Sequence, residues 1–117
     1  MATTTITPTA LTKDTQSADL PVTGLTAIVA ANTHSIAYPK ENKLLIVLNN
    51  TTAASKDFTI VAGDFQAAGV GDLTITMAQD DVRYLVVSSD RFKDSSGNVN
   101  ITVAASTTGF IGAFTLP

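Results

Sequence analysis

Apolar and polar residues alternate with a period of two along several short stretches of this chain. In Asp57 to Ala62, Phe58 and Ile60 point one way while Asp57 and Thr59 point the other. Leu73, Ile75 and Met77 share a face opposite Thr74 and Thr76, and Val99, Ile101 and Val103 oppose Asn100 and Thr102. That period predicts strands with one buried face. Leu44 to Leu48 does not alternate. A continuous apolar run marks a strand covered on both faces, central in the fold or across a subunit contact. Val82 to Val87 is similarly rich, with Arg83 as its one charge. Thr33 to Tyr38 and Phe110 to Leu116 complete the clear strands. Thr3 to Thr7 is a weaker candidate, and the Pro8 that follows limits it to a sheet edge.

Turn signals separate these runs. They lie at Tyr38 to Asn42, Asn49 to Lys56, Gln79 to Asp81 and Asp94 to Asn98, the last with Gly97 and Asn98, which tolerate positive φ. Only Leu11 to Ala18 and Phe65 to Ala68 have room for a helical turn. Short strands at this spacing predict an all-β fold, a compact antiparallel β-sandwich or barrel of about seven or eight strands. The expected core is Leu45, Val47, Phe58, Ile60, Leu73, Ile75, Tyr84, Val86, Ile101 and Val103. Residues 1–20 read as an N-terminal arm or a first edge strand, and residues 21–117 as a single β-sandwich domain. The connection Gly63 to Asp72 carries three glycines and an aromatic and is long for a hairpin loop.

The chain has 117 residues, enough for one domain that buries roughly two-thirds of its unfolded surface. It has no cysteine, which excludes disulfides and thiolate metal sites. Only 15% of residues are charged. Thr, Ser, Asn and Ala cover the surface instead, which suits protein contact. A net charge of -3 with scattered Lys and Arg gives no basic stripe for nucleic acid. No apolar run approaches the ~20 residues of a membrane-spanning helix. The Thr-rich start lacks the apolar stretch of a secretory signal.

Catalytic chemistry finds few starting points. His34 is the only histidine, and no nucleophile-elbow pattern accompanies it, so it reads as a surface or strand-edge residue. Asp64, Asp72, Asp80 and Asp81 do not follow the alternate spacing of a calcium loop and read as solvated turn residues. A catalytic carboxylate pair is not favoured, and without Trp the usual sugar-stacking platform is missing. Gly69 and Gly71 form only a fragment of a phosphate cradle and read as flexible backbone in an exposed loop. Arg91 and Phe92 read either as an interface anchor or as a structural pair, with Phe92 plugging the end of the sandwich and Arg91 bound to an Asp.

The order of features resembles a group of small proteins encoded in tailed-phage and prophage head modules. The similar parts are Thr3-Thr4-Thr5-Ile6-Thr7-Pro8, the stretch Lys43 to Thr51, the Gly-containing loop before Asp72-Leu73-Thr74-Ile75, and Ser89-Asp90-Arg91-Phe92-Lys93 leading to Gly97-Asn98-Val99-Asn100-Ile101-Thr102. The resemblance is to the capsid decoration, or cement, proteins of tailed bacteriophages. It implies a structural virion protein that binds the outer surface of an assembled head. Such a protein is made in the host cytoplasm and located on the capsid surface. The implied partner is a major capsid protein or other virion protein, with self-association, a trimer favoured. No cofactor, metal or catalytic residue is implied, and neither nucleic acid nor membrane is an expected partner. The candidate interface residues are Thr3, Thr5, Ile6, Leu11, Phe65, Arg91 and Phe92. A receptor- or glycan-binding module of a tail, fibre or cell surface is the alternative, and it predicts an exposed aromatic cluster around Phe65 or Tyr84. A small hydrolase would need a cleft that gathers His34 with acids.

Overall fold

β-Branched and aromatic residues supply almost every regular element of the chain, and the result is a two-sheet sandwich. The computed structural model describes residues 2–17, 19–37, 43–64, 69, 71–87 and 91–116. The described strands are β1 (Thr3–Ile6), β2 (Thr9–Ala10), β3 (Thr26–Ala27), β4 (Thr33–Ala37), β5 (Lys43–Asn50), β6 (Lys56–Ile60), β7 (Leu73–Met77), β8 (Val82–Val87), β9 (Asn98–Val103) and β10 (Gly109–Leu116). A 3-10 turn lies at Val22–Gly24. A tight turn also falls within the stretch from Leu11, with Asp14 at φ 56°. The turn expected at Tyr38 to Asn42 and the one at Phe65 to Ala68 lie outside the described residues.

One sheet runs β1-β4-β9-β6-β7 and the other β2-β10-β5-β8. β3 also pairs with β10, beside its first residues, while β2 pairs beside its last ones. Most pairings are antiparallel, as the sequence predicts. The exceptions are β1 on β4 and β2 on β10, which are parallel. The chain therefore begins on the edge of one sheet and crosses at Thr7-Pro8 to the edge of the other. Thr3–Ile6 pairs with β4 as an edge strand of the first sheet.

Between the sheets lie Ile6, Ile36, Leu44, Ile46, Leu48, Phe58, Ile60, Met77, Val87, Phe92, Val99, Ile101, Ile111 and Ala113. Leu73, Ile75 and Val103 pack against this core from partly buried positions. β5 is central in its sheet, and its continuous apolar run is covered on both faces. Leu44, Ile46 and Leu48 face the other sheet, while Val47 is only 5% exposed on the outer side. Leu45 is half-buried there, and it belongs to that outer layer rather than to the core.

Tyr84 and Val86 depart from the expected core. Tyr84 is 68% and Val86 51% exposed, and Leu85 and Val87 point inward in their place. The register fixes this. Leu85 stands opposite Ile46 and Val87 opposite Leu44, so the partner strand's buried face selects them. In Val82 to Val87 both faces are apolar, so alternation alone cannot choose between them.

At the far end, the loop after β6 is clamped onto the stretch before β9. Gly63 lies so close to the Lys93 backbone that a Cβ would overlap the Lys93 carbonyl. A glycine is needed there for close approach.

Candidate functional site

His34 is placed by β4, the second strand of its sheet, and it is fully buried. The expectation of a surface or strand-edge histidine is corrected, because β4 is flanked on both sides by β1 and β9. The Val29 backbone N–H donates to His34 Nε2 at 3.1 Å. Nδ1 is buried without a hydrogen-bond partner. Burial holds the imidazole below its ordinary pKa, and the nearby Ile101 backbone offsets this only in part. Its role is to tie the loop before β4 to the strand. Among the described residues the ring has no carboxylate partner of the kind that orients a catalytic base.

Three of the acids, Asp64, Asp72 and Asp81, bind backbone N–H groups. Asp72 Oδ1 accepts from the Ala62 N–H at 2.6 Å, and Asp64 Oδ2 from the Ser95 N–H at 2.8 Å. Asp81 Oδ2 accepts from the Ala78 N–H at 3.0 Å and meets Arg83 at 3.3 Å. Asp80 occupies a turn at φ 65°. Among the described residues no three His, Asp or Glu side chains gather as metal ligands.

Asp94 organises the turn before β9. Burial alone would raise its pKa, but it accepts bonds from the backbones of Asn98 and Ser96 and the side chain of Asn100, and with Gly97 these hold it below the ordinary value. Gly97, at φ 82°, closes the turn as its sequence predicts.

Arg91 and Phe92 form a structural pair. Phe92 is buried in the core, and the Arg91 guanidinium lies 4.7 Å from its ring centroid. Arg91 also donates to the Gly71 carbonyl at 3.1 Å and to the Asp72 carbonyl at 3.4 Å. This bond to Asp72 runs to the main chain. The interface-anchor reading of Phe92 is therefore set aside. Phe65, the other aromatic singled out from sequence, lies outside the described residues.

The remaining candidates sit on the N-terminal ribbon. Thr3 and Thr5 are exposed on β1, whereas Ile6 turns inward and is buried in the core, so Ile6 cannot serve as a contact residue. The Asn32 side chain fastens the ribbon by donating to Thr4 Oγ1 at 3.0 Å. Beyond β2, the Leu11 N–H donates to the Thr115 carbonyl at 2.9 Å and so prolongs the pairing with β10. From Ala2 to Thr12 the ribbon carries no charge, and Thr3, Thr5, Thr7, Thr9 and Thr12 are exposed along it.

The outer face of the second sheet is the feature that sequence did not place. Two rows of residues cross it in register: Gly112, Val47 and Tyr84, then Phe114, Leu45 and Val86. The segment after β2 folds over the first half of these rows. Leu25 sits on Gly112, and Leu11, Ser17 and Leu20 enclose with it a groove of about 270 Å³ floored by Leu45, Val47, Tyr84 and Phe114. The half that belongs to β8 is bare, with Val82 at 36%, Tyr84 at 68% and Val86 at 51% exposure. The available signal was an apolar choice at both parities of β8. An edge strand needs only one of them for a core.

No known protein family, curated protein or solved structure matches this chain.

Proposed function

We propose that the protein is a structural component of a phage particle that binds the outer surface of the capsid and stabilises it. The observation that carries this reading is the ribbon Ala2 to Thr12. It runs from the edge of one sheet to the edge of the other, uncharged and lined with exposed threonines. Hydroxyl and methyl groups on an exposed strand edge suit contact with another protein, because the backbone supplies hydrogen bonds and alternate side chains supply fit. The low charge of the whole domain supports the same reading, since little desolvation of ions opposes a broad protein contact. The order of sequence features shared with capsid decoration proteins adds to it.

The test is co-sedimentation with expanded, undecorated heads. Thr5→Lys and Thr7→Glu place charges on exposed ribbon positions and leave the core untouched. The expected result is loss of co-sedimentation with an unchanged melting temperature. Wild-type protein that fails to co-sediment, or variants that bind as well as wild type, overturn the reading.

A further inference from the structure

We propose that the bare half of the outer face is covered by a second copy of this chain, joined edge to edge through β8 about a two-fold axis. The four sheet edges differ in how they are protected. β1 is four residues long and Thr-rich, and β2 is two residues long. β7 presents Thr74 and Thr76 outward, and Thr76 bonds the Asp57 carboxylate at 2.6 Å. β8 has six residues, five of them apolar, with no Pro, Lys or Gly. Among the described residues no strand pairs with its far edge. The one charge of β8, Arg83, is paired with the adjacent Asp81 at 3.3 Å, and the long apolar remainder of such an edge is a template for pairing with another chain.

Symmetry and charge select the geometry. A two-fold axis normal to the sheet keeps outer face beside outer face, so it must pass through a residue position rather than between two. With Arg83 on the axis, two guanidinium groups would stand opposite each other, which disfavours that register. With Leu85 on the axis, Arg83 of one copy would stand opposite Val87, which is buried in the other. With Tyr84 on the axis, the two Tyr84 rings pair, each Val82 faces a Val86, and Arg83 faces Leu85. This register places the three bare side chains of each copy against one another. It gives a continuous eight-stranded sheet, β2-β10-β5-β8 followed by its symmetry mate. The contact is a self-complementary one, which only a second copy provides twice over. A three-fold assembly, by contrast, would require β8 to meet a different strand.

A contact made by two six-residue strands is small, so the dimer is expected to dissociate on dilution. The pairing does not depend on shell binding, because β2, the part of the ribbon in this sheet, lies on its opposite edge.

Sedimentation velocity over a concentration series, from low micromolar to millimolar, is the test. Wild type is expected to move from monomer to dimer. Val86→Lys, on an exposed side chain, is expected to weaken the dimer at least about tenfold, since the change acts twice about the axis. Adding Val82→Glu to Val86→Lys is expected to restore it, because only in the Tyr84-centred register do those two positions face each other across copies. Circular dichroism and melting of each variant confirm an intact fold. Wild type that stays monomeric throughout, a trimer, or a double variant no tighter than Val86→Lys overturns the proposal.

Discussion

Leu25 rests on Gly112, with its two terminal methyls 2.8 and 2.9 Å from the place a Cβ would occupy on that glycine. This contact fixes the segment after β2 onto the outer face and is the reason Val47 is covered while Tyr84 is not. Gly112→Ala should displace Leu25 and cost about 1 kcal/mol, the low end for overpacking, because methyl ends can shift. The Leu25→Ala, Gly112→Ala double variant should cost less than the sum of the single changes. Chemical denaturation of the four proteins measures this.

Asn50 holds together two loops at one end of the sandwich, the one after β5 and the one after β7. Its side-chain amide donates to the Met77 carbonyl at 2.8 Å, and to those of Ala54 and Ala78. Its Oδ1 accepts from the Thr52 N–H. Asn50→Ala should destabilise by about 3 kcal/mol, because buried carbonyls lose their donors. Asn50→Asp, which cannot donate when ionised, should be at least as costly. Equilibrium unfolding in urea decides.

The face assignment of β8 gives a paired prediction. Val87→Ala removes two buried methyls and should cost about 2 kcal/mol. Val86→Ala, on the bare outer side, should change monomer stability by less than about 0.5 kcal/mol. Similar costs at both positions would refute the register with β5.

Two pH windows follow from two shifted groups. The folded pKa of His34 lies below 6.5, so the unfolded chain takes up its proton first. His34 therefore supports stability fully above about pH 6.5, and that support is lost as pH falls from there to the folded value. His34→Gln should flatten this limb. Asp94 has a folded pKa below 3.8, so its contribution is present above that value and is lost as pH falls through the folded pKa. Asp94→Asn should flatten only the more acidic limb. Melting temperature against pH for the three proteins separates the windows.

The sandwich was legible because Phe58, Ile60, Ile101 and Val99 alternate with polar residues, and alternation maps directly onto a sheet with one buried face. The double coverage of β5 was legible for the same reason, from an unbroken apolar run. β8 was not, since Val82, Tyr84 and Val86 compete with Leu85 and Val87, and only the register with Ile46 and Leu44 resolves the competition. The inward turn of Ile6 and the burial of His34 were equally hidden. Both depend on parallel pairing between β1 and β4, across a separation that local patterning does not sense. The burial of Phe92 was legible. For Arg91 the sequence predicts an Asp side chain as partner, and its bonds to the main-chain carbonyls of Gly71 and Asp72 leave no trace there.

The position of β10 sets the order in which the molecule can be completed. Every other described strand precedes it, yet it lies between β5 on one side and β2 and β3 on the other. During synthesis the second sheet thus lacks this middle member until β10 itself has left the ribosome. Until then β5 offers one side of its apolar ladder to any extended chain nearby, and β2 has no strand to join. Contacts such as Thr9 with Phe114 span almost the whole chain, and contacts of such long range slow folding. The vulnerable species is accordingly a chain that lacks β10, and deleting a few residues of that strand should harm yield far more than an equal number of surface substitutions.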